Sequence, residues 1–317
     1  MMSEFLEPFE RMLEDVATPA AVRAVEQGGS TDAMWAAFAE SGFLDALAPE
    51  DRGGAGLPLA EVQPLWMALG RHAVPLPVGE TMIARALLTE APGGPVALAI
   101  AAPGQAVVVP CGLVAAHILV EADDALHLAP ATGAPTGVPA SLAARLQWDA
   151  LPAAVAPAPE GGLRALAAVL RAALIAGAAE RATAMTAAYA GERVQFGKPI
   201  GRQQALQQQM AVMAEEMVAA RIASQLGCAG AFPPGLAAAA TAKSVASKAA
   251  ARIAATAHAV HGAIGISEEH DLQLFTRRLH EWRLADGSET YWNRLLGAAR
   301  LDDEGGSVDF VRERLPG

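Results

Sequence analysis

Three features of the sequence predict a mainly α-helical fold with one small β unit in its middle. First, 53% of the 317 residues are hydrophobic, yet mean hydropathy is only +0.27, because much of that fraction is alanine and aromatics make up only 5%. Alanine with spaced Leu, Met and Val favours packed helices. Second, apolar residues recur at three- and four-residue steps through most of the chain. Third, this period fails only between about 95 and 160, where short apolar runs alternate with Pro and Gly. The length supports a large core built from two or three units. The expected division is an N-terminal helical domain over 1–94, a small β domain over 95–160 and a four-helix bundle over 161–317 that ends in a polar tail.

In the first unit, Ser30 or Thr31 caps a helix carrying Trp35, Phe38 and Phe43, and Gly42 closes it. The turn cluster PEDRGGAGLP (49–58) precedes a helix with Val62, Leu65, Trp66 and Leu69 at helical spacing and Gly70 as its stop. A third helix is expected over 79–90. In the middle, VALAIAA, AVVVP, AHILVEA and DDALHLAP read as short strands, and the Pro- and Gly-rich stretch 129–139 as loops. From 163 onwards, helices are expected over 163–191, 202–227, 236–260 and 267–284, and a last one begins near Ser288. Leu206, Met210, Met213, Met217 and Leu226 form a stripe read as bundle core. Long antiparallel helices with short connections predict the bundle. The tail 302–317 is expected to be mobile.

The net charge of −11, with no basic run, argues against nucleic acid as the main partner, because phosphate binding needs clustered Lys and Arg. Cys111 and Cys228 are the only cysteines and lie far apart, which fits neither a disulfide framework nor a zinc site and favours a reduced, cytoplasmic setting. The acidic start MMSEFLEPFERMLED does not resemble a signal peptide. The apolar region 95–120 is too broken by Pro103, Gly104, Pro110 and Gly112 to span a bilayer.

Several motifs compete with plainer readings. RGGAGL (52–57) lacks the Lys-Ser/Thr ending of a phosphate loop and reads as an interhelical turn. His258 and His261 lie three apart on one helix face, but no further ligands accompany them, so no metal is expected. HGAIG (261–265) is either a helix C-cap or a place where backbone approaches a bulky cofactor closely. GERVQFGKPIGRQQ (191–204) offers Arg193 as a fork for phosphate, Phe196 as a rare aromatic and Gln204 at the next helix start. It is otherwise an ordinary interhelical turn with an exposed Arg. ADGSE (285–289), read alone, is helix punctuation.

The stretch RVQFGKPIGRQQALQQQMAVM resembles the signature of the acyl-CoA dehydrogenases, flavoenzymes that introduce a double bond next to an acyl-CoA thioester. SGFLDALAPEDRGGAGLPLAEV and VHGAIGISEEHDLQLFTRR resemble two further family segments, and ADGSE falls where the family carries Tyr-Glu-Gly-Thr. Gln204 stands 11 positions after Arg193 and Asp286 stands 24 after Gly262, as the family pattern asks. The resemblance implies a helical domain, a β domain and a four-helix bundle, with FAD between the β domain and the bundle. It implies that Arg193, Phe196 and Gln204, with Gly262, Ala263 and Gly265, reach the FAD of a neighbouring subunit. It also implies that Asp286 is the base and that Ser288 lies near the flavin. Such shared sites require a homo- or hetero-oligomer. The implied partners are an acyl-CoA substrate from lipid or steroid catabolism and an electron-transferring flavoprotein as acceptor.

The sequence departs from the family pattern at three places. Asp replaces Glu at the base position, and the family's alternative base position corresponds to Ala168. The β unit is about half the usual size, with VALAIAAPG roughly where a flavin-contacting motif is expected. Ala259 replaces the Gln before the glycine loop. These departures resemble the short members of the family and leave two readings. One is a catalytic FAD-dependent acyl-CoA dehydrogenase. The other is a half-site subunit that completes a partner's FAD site.

Overall fold

The computed structural model describes residues 5–90 and 92–315; residues 1–4, 91 and 316–317, which fall within the expected first and last units, lie outside the described residues. Among the described residues, five α-helices come first: α1 (Leu6–Val16), α2 (Pro19–Glu26), α3 (Asp32–Ser41), α4 (Leu59–Arg71) and α5 (Val78–Leu87). Thr18 caps α2 by accepting from the Ala21 N–H at 3.2 Å. Gly42 closes α3 at φ +77°, a conformation that costs glycine little. The 49–58 stretch is an interhelical turn, and Arg52 uses it to reach back to the Leu88 and Ala86 carbonyls at the end of α5.

Gly70 has a different role from the stop expected of it. It lies inside α4, where an added Cβ would sit 2.1 Å from the Leu174 carbonyl oxygen, while one at Gly177 would sit 1.8 Å from that of Met67. The two glycines let α4 cross the long helix α6 (Gly162–Glu192), which carries Leu174 and Gly177, with the backbones in contact.

The middle unit contains two small sheets. In the first, β1 (Val96–Ile100) pairs parallel with β3 (His117–Ala122), followed by antiparallel β4 (Ala125–Pro130) and β7 (Ala154–Pro157). Asp123 and Asp124, both at positive φ, make the tight β3–β4 turn. The second sheet orders β2 (Val107–Val109), β6 (Ala144–Leu146) and β5 (Ala134–Pro135). The period of two divides the first sheet's residues. Val96, Leu98, Leu119 and Leu126 join the main core, whereas Ala97, Ala99, Ile118 and Val120 pack with Val109, Ala144, Leu146 and Trp148 in a second one.

The bundle comprises α6 (Gly162–Glu192), α7 (Gln204–Gly227), α8 (Leu236–His261) and α9 (Leu272–Leu284), with α10 (Glu289–Asp302) packed on α8. A short hairpin, β8 (Val194–Gln195) and β9 (Lys198–Pro199), joins α6 to α7. The Glu121 carboxylate of β3 accepts from the Leu163 N–H at the start of α6, which places a negative charge where the helix dipole favours one. By length and composition α6 is apolar enough to cross a membrane, but 89% of its most apolar window is buried in the protein, as expected of a core helix. The α7 stripe is less buried than the sequence implies. Only Met213 of its five residues is fully buried, and Leu206, Met210 and Met217 are packed at the margins. The expected fourth helix starts five residues late, because residues 267–271, which follow the 3-10 turn Gly262–Ile266, form turns of their own, with the His270 N–H on the Ser267 carbonyl. The tail differs too: Ser307–Arg314 forms α11, and Phe310 is buried beneath the Arg300 guanidinium, 5.9 Å from its ring centroid.

Candidate active site

A cavity of about 750 Å³ opens between the β unit and the α9–α10 connection. Its walls include Val108 and Arg145 from the second sheet, Arg164 from α6, and Leu284 to Gly287 from the connection. Neither the Arg145 nor the Arg164 guanidinium has a carboxylate partner among the described residues, although Arg164 stacks over the Tyr291 ring at 5.2 Å. On a chain with a net charge of −11, two uncompensated cations at one cavity suit an anionic, phosphate-bearing ligand.

Asp286 lies on the wall of this cavity, and its conformation is set by its neighbours. Its φ is +57° and that of Gly287 +102°, so the chain makes two consecutive left-handed residues between α9 and α10. Only glycine fits the second position, since a Cβ there would lie 2.6 Å from Tyr291 and 2.7 Å from the Trp292 indole nitrogen. Asp286 itself is a non-glycine residue in a sparsely populated region, which requires support from its surroundings. The Trp292 Nε1–H donates to the Asp286 carbonyl at 3.1 Å. Arg171 Nε donates to Asp286 Oδ2 at 2.8 Å, and Arg171 Nη1 reaches Glu80 Oε1 at 2.5 Å. The Arg171 side chain is 1% exposed and that of Asp286 8%. Burial alone would lower the Arg171 pKa, but the Glu80 and Asp286 carboxylates more than reverse this and raise it. Two groups of Asp286 are not engaged: its backbone N–H and its Oδ1 make no hydrogen bond among the described residues.

A second buried cation lies behind the same loop. The Lys243 ammonium, fully buried in α8, donates to Ser247 Oγ at 2.9 Å, the Arg283 carbonyl at 2.9 Å and the Gly287 carbonyl at 2.8 Å. Glu289 turns away from the cavity and pairs with Arg283. Ser288 is the N-cap of α10; its side chain makes no cap bond, and its carbonyl accepts from the Trp292 N–H. Ala168 is fully buried in α6, so no acid stands at the alternative base position.

The remaining predicted site residues lie elsewhere. Arg193 ends α6, Phe196 tops the β8–β9 hairpin at φ +53°, and Gln204 opens α7. All three side chains are exposed, Phe196 by 94%. Gly262 and Ala263 are also exposed, whereas Gly265 is buried against His261 and Leu272. The two groups share one end of the bundle, where Ala190, Ile200 and Val260 form a small core between them. His261 stacks on Tyr189 at 4.5 Å and bonds the Ala257 carbonyl through Nδ1, and His258 bonds Thr276. Along α6, the 21 residues from Arg171 to Glu192 span about 32 Å at a rise of roughly 1.5 Å per residue. One chain therefore does not bring Asp286 together with Arg193, Phe196 and Gln204.

Sequence reading missed Glu80, Arg171, Lys243 and Trp292. A signal was present for two of them. Arg171 is the one charge in LAAVLRAALIAGAA, and Lys243 stands in an alanine-rich run, whereas charges are rarely buried unless paired.

The arrangement has close relatives. An acyl-CoA dehydrogenase C-terminal domain model matches residues 165–301. Acyl-CoA dehydrogenase IpdE2 of Mycobacterium tuberculosis is 35% identical over 281 residues, covering 83% of this chain and 86% of the relative. The chain belongs to the acyl-CoA dehydrogenase family. Among solved family structures, a variant of the Tcur3481-Tcur3483 steroid ACAD matches at TM-score 0.79 and 26% identity, over 95% of this chain and 99% of that one. The ChsE4-ChsE5 complex from Mycobacterium tuberculosis matches at TM-score 0.78 and 22% identity, over 95% and 97%. This chain shares the fold of these neighbours, and its own elements are mostly helical with a small β middle.

Proposed function

We propose that this protein catalyses α,β-dehydrogenation of an acyl-CoA thioester, with FAD as cofactor and Asp286 as base, and that it does so as an oligomer. The observation that carries this reading is Asp286 itself. It lines a cavity of about 750 Å³ with an unengaged backbone N–H and an unengaged Oδ1, while its carbonyl and Oδ2 are held. The Asp286 N–H is a donor for the thioester oxygen, placed where enolate charge develops. Oδ1 is the acceptor for the α-proton. Bound FAD supplies the acceptor for the β-hydride. Arg145 and Arg164 suit the phosphates of a nucleotide-bearing ligand on the same cavity. A cavity this wide, with Ala285 beside the base, supports a branched or ring-bearing acyl group. The steroid ACAD relative points the same way. An electron-transferring flavoprotein is the proposed acceptor, and the cytoplasm the proposed compartment.

The geometry also supports a second reading. Arg193, Phe196 and Gln204 lie about 32 Å along the bundle from Asp286 and face outwards, which supports a role for them at the flavin of a neighbouring subunit. With Asp286 Oδ2 taken by Arg171, the chain also suits a role that completes a partner's FAD site without supplying the base.

Spectra and turnover separate these readings. The first predicts a yellow protein whose flavin is bleached by one of a panel of acyl-CoAs, and an Asp286→Asn variant that keeps its flavin but is not bleached. A protein that is colourless alone, and an Asp286→Asn variant that is bleached at the wild-type rate beside a co-expressed partner, would establish the second.

A further inference from the structure

Arg171 stands between two buried carboxylates that differ in position. Its Nε donates to Asp286 Oδ2 at 2.8 Å and its Nη1 to Glu80 Oε1 at 2.5 Å, and the three side chains are at most 8% exposed. Asp286 lines the large cavity, whereas Glu80 is no part of that wall and meets Arg171 from the protein interior. Glu80 sits in the first turn of α5, where the helix dipole favours a negative charge. Among the described residues Arg171 is its one charged partner. Burying a carboxylate is costly, and the proposed reaction so far gives Glu80 nothing to do.

The proposed proton transfer changes the charge of this trio. When Asp286 Oδ1 takes the α-proton, a C–H bond breaks, an O–H bond forms and the electron pair stays with the substrate. Before the step there are two negative charges and one positive. After it Asp286 is neutral, and Arg171 and Glu80 remain as a balanced pair. Without the Glu80 charge, the same step would leave the guanidinium buried and uncompensated, which is the costly state of a broken buried pair.

We infer that Glu80 is a positioning residue for the proposed dehydrogenation: it holds Arg171 against the base and supplies the counter-charge that lets Asp286 accept a proton. The inference rests on the proposed role of Asp286 for its functional meaning, while the electrostatic link between the two carboxylates belongs to the fold. Other charges surround Asp286. Lys243 of α8 lies behind the connection, and Arg283 of α9 pairs with Glu289 of α10. Arg145 of β6, Arg164 of α6 and Arg277, His280 and Glu281 of α9 line the cavity. All of these stay the same in the variants below, so a difference between variants reports Glu80 and Arg171.

The test is carbon NMR of protein labelled with 13C at its aspartate carboxyl groups and purified with any partner it needs. The Asp286 signal is the one missing from Asp286→Asn. Its titration is compared in the wild type, in Glu80→Gln and in Glu80→Gln combined with Arg171→Met. Glutamine keeps an acceptor oxygen for Arg171 Nη1 and leaves Arg171 paired with Asp286, so the fold is retained. In Glu80→Gln, Asp286 should bind a proton about tenfold or more weakly than in the wild type, the scale of two unit charges on either side of one guanidinium at an effective dielectric constant of about 20. In the double variant the cation is gone as well, and proton binding should return to at least the wild-type strength. A Glu80 that merely packs would give neither the loss nor the recovery. Where an acyl-CoA bleaches the flavin, Glu80→Gln should lower kcat about tenfold with KM little changed, and the pH below which reduction slows should move down, because a weaker base loses its proton at lower pH. Proton binding in Glu80→Gln as strong as in the wild type would overturn the inference, and the single variant decides alone if the double one does not fold. If no acyl-CoA is oxidised, the proposed activity fails, while the titration still decides the link between Glu80 and Asp286.

Discussion

Arg171→Met tests the centre of the buried network. Among the described residues, Arg171 alone links Glu80 to Asp286. It reaches Glu80 at 2.5 Å and Asp286 at 2.8 Å, with all three side chains at most 8% exposed. Methionine keeps the aliphatic volume but removes the guanidinium, so two buried carboxylates are left without it. Breaking a buried ion pair from one side costs about 3–5 kcal/mol, because the remaining charge is uncompensated. That is a large part of the 5–15 kcal/mol or so by which a domain is stable. Urea unfolding at pH 7 should show this loss, and the melting temperature should fall by roughly 6–20 °C. The structure also predicts partial recovery. Adding Glu80→Gln to Arg171→Met removes one stranded charge and should restore about 1–2 kcal/mol, a coupling of the size seen for groups in one network. An Arg171→Met protein within about 1 kcal/mol of wild type would refute the reasoning. A double variant that loses the two single effects in full sum would do so as well.

Two further outcomes follow from the same coordinates. Phe196→Ala removes a side chain that is 94% exposed, so the stability of the isolated chain should change by less than about 0.5 kcal/mol; flavin retention and oligomer mass, read by absorbance and light scattering, should nevertheless fall if Phe196 serves a neighbouring subunit. The buried Lys243 predicts a pH slope in stability: its folded pKa is about 7 against an ordinary 10.5, so between these values the unfolded chain holds a proton that the folded chain has released. Stability should therefore rise with pH over that window and level off above it, and the rise should be missing in Lys243→Met when urea unfolding is compared at both ends.

Much of the architecture was legible because it depends on local periodicity. The expected helix over 163–191 is observed as Gly162–Glu192, and that over 236–260 as Leu236–His261. The four strand-like runs correspond to β1 to β4. Gly42 closes α3 through its own φ, a property carried by one residue. Motif spacing likewise marked Asp286, Arg193, Phe196 and Gln204 for attention, and the structure shows where each lies.

Other features depend on partners far away in sequence. Gly70 reads as a stop in isolation, but it is the crossing point with Leu174 on α6. The α7 stripe has the period of a core face, yet whether a face is covered depends on which helices pack against it, and Leu206 and Met210 remain at the edge. Phe310 gives the tail an anchor that its polar composition hides.

By itself, the sequence determined the helical class, the position of the β unit and the residue types available for chemistry, since propensity, period and turn residues act over a few positions. Only the tertiary structure decided what surrounds Asp286. Glu80, Arg171, Lys243 and Asp286 come from three helices and one connection, with 91 residues between the first pair and 115 between Arg171 and Asp286. Nothing local relates them. The burial that makes their charges costly, and therefore paired, exists only once α5, α6, α8 and the α9–α10 connection have packed together.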